Sequence, residues 1–158
     1  PNSSGWKLPL ASAWVTSEYQ VVRTDCIGCG GTSHRGIDLG VSEGTYAYAA
    51  AKGRVAYIVR RGSCGGNMVY IYHTINGVPY TTVYMHMSSF ASDMYQGKTV
   101  TTDDVIGYVG NTGASFGAHL HLGMASGHHA TFFNNYSFDP RNVMAFPGMD
   151  SGVYYYRR

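Results

Sequence analysis

Apolar and polar positions in this chain alternate over short runs, and turn residues separate the runs. That is the pattern of half-buried strands. "WVTSEYQVVR" (14–23), "TYAYAA" (45–50) and "GRVAYIVRR" (53–61) each read as a strand. "NMVYIYHTINGVPYTTVYMHM" (67–87) is two β-rich runs about Asn76-Gly77, a strong hairpin signal. "KTVTTDDVIGYVGNTG" (98–113) predicts further strand and turn, and "HLHLGMA" (119–125) another strand. "FDPRNVM" (138–144) predicts a single helical turn from Pro140 with Asp139 as its cap. The tail "GVYYYRR" is an edge strand or a frayed end. No long amphipathic helix, internal repeat or low-complexity tract is present. The expected fold is mostly β: an antiparallel, sandwich-like sheet with long loops and little helix.

Composition sharpens this picture. The 158 residues suit one domain, spanning 1–158, and 44% are hydrophobic, enough for a real core. Charged residues are 13%, against about 25% in ordinary soluble domains. Fourteen tyrosines and 21 glycines take up part of the difference, and both favour strands and tight turns over helices. A net charge of +2 is too small to argue for nucleic acid. No run approaches the roughly 18 apolar residues of a membrane span. The start at Pro1, with no initiator Met and no signal peptide, reads as a processed product or an excised domain.

The three cysteines are Cys26, Cys29 and Cys64. Cys26 and Cys29 have knuckle or redox spacing, but a four-Cys zinc site would need a second pair, which is absent. A disulfide from Cys64 to Cys26 or Cys29 would suit an oxidising compartment. A bridge within the Cys-x-x-Cys pair and a set of inert buried thiols are the alternatives.

The chemistry lies in the histidines, of which there are seven. In "GAHLHLG" (117–123), His119 and His121 are two apart, so a strand places both on one face, about 6–7 Å apart. Alone, such a pair is as readily an exposed or hydrogen-bonded pair as a site. "SHRGIDLG" (33–40) adds weight. His34 and Asp38 are four apart, and Gly36 and Gly40 disfavour a helix, so they belong to a loop entering a strand. Asp38 stands between Ile37 and Leu39, and a carboxylate among such neighbours needs a partner or a metal. His34, Asp38 and one of His119 or His121 would make a three-ligand catalytic zinc site with a position left for water.

"HRGID" (34–38), "VYMHMS" (83–88) and "VIGYVGNTGASFGAHLHL" (105–122), with "GNMVYIYH" (66–73) before the middle histidine, together resemble the M23 zinc metallopeptidases, the lysostaphin- and LytM-like peptidoglycan endopeptidases. The resemblance covers roughly residues 8–145. It implies a lysostaphin-type β-fold whose loops wall a groove with one zinc at its floor. Carried over by motif, it makes His34, Asp38 and His121 the zinc ligands, and His86 and His119 the catalytic histidines. Ala118 departs from the usual proline before the first His, and Met85 and Met87 flank His86 where smaller residues are more usual. The loops "RTDCIGCGGTS" (23–33) and "ASGHHATFFNNYS" (125–137) would reshape the groove.

The implied reaction is hydrolysis of peptide bonds in peptidoglycan stem peptides or cross-bridges by a zinc-activated water. There is no His-Glu-x-x-His, and the glutamates Glu18 and Glu43 belong to no motif, so a histidine must move the proton. His119 is the expected base, and His86 the oxyanion partner or a proton shuttle. The expected setting is a secreted or phage-borne monomer at the cell wall. The alternatives are a non-catalytic relative that binds wall or activates another hydrolase, and a hydrolase of other glycine-rich proteins. Of the remaining candidates, His73 reads as structural, and His128 and His129 as solvated or groove-lining. Asn67 and Asn111 could contact substrate, though Asn111 suits a turn better.

Overall fold

The computed structural model describes residues 5–17, 19, 36–62, 66–112, 117–128, 137–144, 146 and 154–155. His34, His129 and all three cysteines lie outside the described residues, so the disulfide expectation does too. Eleven strands form one antiparallel network, with no α-helix among the described residues. They are β1 (Ser12–Ser17), β2 (Ile37–Gly40), β3 (Tyr46–Tyr48), β4 (Gly53–Gly62), β5 (Gly66–Ile75), β6 (Val78–Phe90), β7 (Thr99–Val100), β8 (Val105–Val109), β9 (His119–Ser126), β10 (Ser137–Phe138) and β11 (Tyr154–Tyr155). The main path runs β11-β1-β2-β9-β6-β5-β4-β7. β10 extends from β9, and β8 joins β3 to β6.

The expected mostly β architecture is what the chain adopts. The β5–β6 hairpin turns at Asn76 and Gly77, with φ of 52° and 78°, as an Asn-Gly turn requires. Pro140–Asn142 form a 3-10 turn whose cap, Asp139, accepts a hydrogen bond from the Arg141 N–H. The tail contributes a strand, since Tyr154 and Tyr155 pair with β1. No helix among the described residues is long and apolar enough to cross a membrane.

Alternation along each strand separates two faces. Ile37, Leu39, Val69, Ile71, Tyr84, Leu120, Leu122 and Met124 point into the main core. Tyr70, Val83, Met85 and Ala125 cluster on the opposite face. Asp38 lies between Ile37 and Leu39, and His121 between Leu120 and Leu122, so both belong to that opposite face.

His73 faces the core and is 1% exposed. Its Nδ1 lies 2.9 Å from the Lys52 carbonyl, which can only accept, so Nδ1 carries the proton. Nε2 then accepts from the Thr82 hydroxyl at 2.8 Å. The Thr82 and Tyr84 hydroxyls are 2.9 Å apart, and Tyr84 in turn accepts from the Ala50 N–H at 2.8 Å. Every member is satisfied while the ring is neutral. Burial pushes its pKa down to about 4. The unfolded chain, with an ordinary value of about 6.5, takes up the proton first. The stability due to the neutral ring is therefore complete above pH 6.5 and is lost as pH falls from 6.5 to about 4. At about 1.4 kcal/mol per tenfold difference in proton affinity, the loss is about 3 kcal/mol. Denaturant unfolding at pH 7 and pH 4.5 measures it. His73→Gln should lose stability at pH 7 and show a shallower acid dependence; an unchanged acid slope would refute this role.

Candidate active site

Four of the five expected site residues are described, and they converge on the face opposite the main core. β2 and β9 run antiparallel with Asp38 directly opposite His121, and Gly40 opposite His119. Cross-strand partners stand close enough for side chains to touch. Asp38 is 3% exposed. Its Oδ1 lies 3.0 Å from His121 Nδ1, and its Oδ2 3.7 Å from His119 Nε2. The apolar flanks of Asp38 fill the core while the carboxylate meets two imidazoles, as a buried charge must.

Gly36 makes this approach possible. A Cβ at Gly36 would lie 2.6 Å from His121 Nε2 and 2.5 Å from the Leu122 carbonyl. No real side chain fits there. The His121 ring therefore lies with its Nε2 edge against the Gly36 backbone and its Nδ1 toward Asp38. Gly36→Ala should push the ring off this position and weaken metal binding at least tenfold, as read by competition with a zinc chelator. Unchanged affinity would show that the close contact is dispensable.

His86 arrives from β6 by a different device. β6 pairs with β9 as far as Met85, opposite His121, and with β8 from Met87 onward, opposite Val109. Between these pairings the register against β5 shifts by one residue. Tyr84 and Met87 both point into the main core, and Met85 points to the opposite face. Regular alternation would send residue 86 to the core and residue 87 away from it. The extra residue of the bulge is His86, with φ of 65° in the left-handed region. The bulge turns its ring toward His119 and His121, with centroids 4.8 and 6.2 Å away.

His86 and His119 are each held by one nitrogen. His86 Nδ1 donates to the Thr112 carbonyl at 2.7 Å, and His119 Nδ1 to the Gly117 carbonyl at 2.8 Å. Whenever such a ring is neutral, its Nε2 carries the lone pair. Burial, with His121 beside it, lowers the His86 pKa to about 4.

The remaining candidates divide. Asn67 does not offer its side chain to a substrate: its Nδ2 donates to the Met87 and Ser88 carbonyls at 2.9 and 3.2 Å, and its Oδ1 accepts from the Arg61 N–H at 3.0 Å. Asn111 Oδ1 accepts from the Gly117 N–H at 2.9 Å, in keeping with a turn former. His128 is exposed and stacks on Tyr72, with centroids 4.4 Å apart. Sequence reasoning missed Thr112, whose carbonyl anchors His86; its place in "GNTG" carries no signal for that.

The chemistry of the donor set suits a metal: a buried carboxylate and an imidazole are both zinc ligands, and Asp38 Oδ1 and His121 Nδ1 lie 3.0 Å apart, somewhat closer than the roughly 3.4 Å between two donors on one tetrahedral zinc. The expected third ligand, His34, is outside the described residues, and no group of three or more candidate ligands occurs among those that are described.

Comparison with known proteins identifies the family. The model of peptidase family M23 matches residues 32–135, well over half of the chain. An uncharacterized metalloprotease of Haemophilus influenzae is 36% identical over 120 residues, 76% of this chain and 22% of that protein. The peptidoglycan DD-endopeptidase ShyA of Vibrio cholerae is 32% identical over 116 residues, 73% of this chain and 26% of that protein. The chain thus spans about a fifth to a quarter of these two relatives. A zinc-containing peptidase from Vibrio cholerae shares its fold with a TM-score of 0.68 at 25% identity, covering 87% of this chain and 39% of the other. The chain belongs to peptidase family M23, the family of the lysostaphin- and LytM-like enzymes.

Proposed function

We propose that the protein is a zinc endopeptidase that hydrolyses peptide bonds in the stem peptides or cross-bridges of peptidoglycan. The observation that carries this reading is the joining of Asp38 and His121 across β2 and β9, with His86 and His119 beside them. The family match and a relative that cuts peptidoglycan support the substrate class. The expected place of action is the cell wall, where that substrate is.

Asp38 and His121, with His34 as the expected third ligand, would hold the metal. Zinc, when bound, supplies an activated water and polarises the scissile carbonyl. His119 takes up a proton at Nε2, because Nδ1 is committed to the Gly117 carbonyl. It returns that proton to the leaving amine, as a general base then acid. His86 presents a bare Nε2 in its resting state, which suits sharing the proton released by the attacking water; carrying that proton, the same nitrogen can donate to the developing oxyanion and then pass it on to the leaving amine. Holding both rings by backbone carbonyls keeps them oriented before substrate arrives.

The test is loss of turbidity of purified sacculi with the metal removed and restored. Clearing that stops on chelation and returns with added zinc supports the reading. Zinc-loaded protein that binds sacculi without clearing them would favour a wall-binding or activating relative.

A further inference from the structure

The bulge that delivers His86 needs something to hold it, since a non-glycine residue at φ of 65° stays there only where its surroundings demand it. Two side chains hydrogen-bond to this bulge, those of Asn67 and Thr112. Asn67 on β5 clips the two carbonyls that follow His86, those of Met87 and Ser88. Thr112, beyond β8, donates from its hydroxyl to the Met87 carbonyl at 2.7 Å and accepts from the Asn67 N–H at 3.1 Å. The same Thr112 offers its carbonyl to His86 Nδ1. The neighbouring Gly66 lets β5 come this close, since a Cβ there would lie 2.4 Å from Thr112 Oγ1. A closed ring results: Asn67 to Met87, Met87 to Thr112, Thr112 back to Asn67, with His86 hung from it.

We infer that Asn67 and Thr112 are positioning residues that lock His86 in its bulge and in its Nδ1–H tautomer, so that Nε2 faces the groove. The inference rests on the reading of His86 as a catalytic histidine. Thr112 contributes in two ways: its side chain fixes its backbone, and its backbone fixes the ring. Asn67 contributes by donating from its side chain to two β6 carbonyls where the β5–β6 register shifts. Neither residue touches Asp38 or His121 in these contacts, so metal binding should be indifferent to both.

The experiment uses Thr112→Val, which keeps shape and removes the hydroxyl, together with Asn67→Ala and the rescue variant Thr112→Ser. Two readouts are taken on zinc-loaded protein whose metal content and unfolding temperature are checked first. One is the proton–nitrogen NMR spectrum of the His86 ring. The other is kcat and KM on purified muropeptides. In the wild type, the His86 Nδ1–H signal is expected to be present and protected from exchange. Thr112→Val should lose that protection and lower kcat about 10- to 100-fold with KM within about twofold, the scale expected of a misplaced catalytic group. Asn67→Ala should act in the same direction, and Thr112→Ser should recover most of the loss.

A Thr112→Val ring that stays protected, or a kcat that stays within twofold of wild type, overturns the inference. So does a loss that Thr112→Ser fails to restore, which would reflect packing alone. A wild type that hydrolyses no muropeptide refutes the proposed function instead. The ring spectra then still decide whether Asn67 and Thr112 hold the tautomer.

Discussion

His121→Ala is expected to leave the chain folded and unable to retain zinc. Its Nδ1 stands 3.0 Å from the Asp38 carboxylate, on the paired register of β2 and β9. Removing it takes away one donor and leaves a buried carboxylate with the His119 imidazole 3.7 Å away. The metal affinity should fall by more than about 100-fold, beyond the 10- to 100-fold seen when only an outer partner of a ligand is lost. Zinc per chain after dialysis against a competing chelator measures this directly. Losing one hydrogen-bond partner of a buried carboxylate costs about 1–3 kcal/mol of stability, so the variant should still fold. A His121→Ala protein that retains one tightly held zinc would remove His121 from the ligand set.

His119→Ala should give the opposite pattern. The ring lies two residues from His121 on the same face, but it faces Gly40 across the strand pair, and its Nδ1 is committed to Gly117. Zinc should stay bound and the fold should be unchanged. Hydrolysis should fall by about 10²- to 10⁴-fold, the usual contribution of a positioned acid or base. Single-turnover rates at equal zinc occupancy separate this from metal loss. A variant that keeps most of its rate would return the proton-transfer role to His86 or to solvent.

Local pattern made much of this legible. The hairpin at Asn76-Gly77, the strand at His119–Ser126 and the capped turn at Pro140 depend on neighbours in sequence, and each formed where expected. The alternation of Ile37, Asp38 and Leu39 correctly separated the carboxylate from the core. Pairing was less accessible. Asp38 and His121 are 83 residues apart, and nothing local states that β2 lies beside β9 in that register. Residue spacing alone therefore left His119 and His121 as equal candidates; the family resemblance chose His121, which the register places opposite Asp38.

The bulge at His86 was invisible for a related reason. "VYMHM" alternates no differently from a regular strand, and only the exchange of partners from β9 to β8 creates the extra residue. Asn67 could contact substrate on its chemistry alone, since an amide reads peptide backbone; nothing local in the sequence points to the two β6 carbonyls that its side chain meets. His73 was read correctly as structural. Its partners Lys52 and Thr82, however, come from two other segments that the core brings together.

The most direct test of the account is mass spectrometry of new amino termini released from purified peptidoglycan by the zinc-loaded protein, with a chelated sample beside it. The account predicts new termini within stem peptides or cross-bridges that vanish on chelation and return with zinc, and their identity names the bond. Zinc-loaded protein that yields no new termini, on walls of several cross-link types, would contradict it.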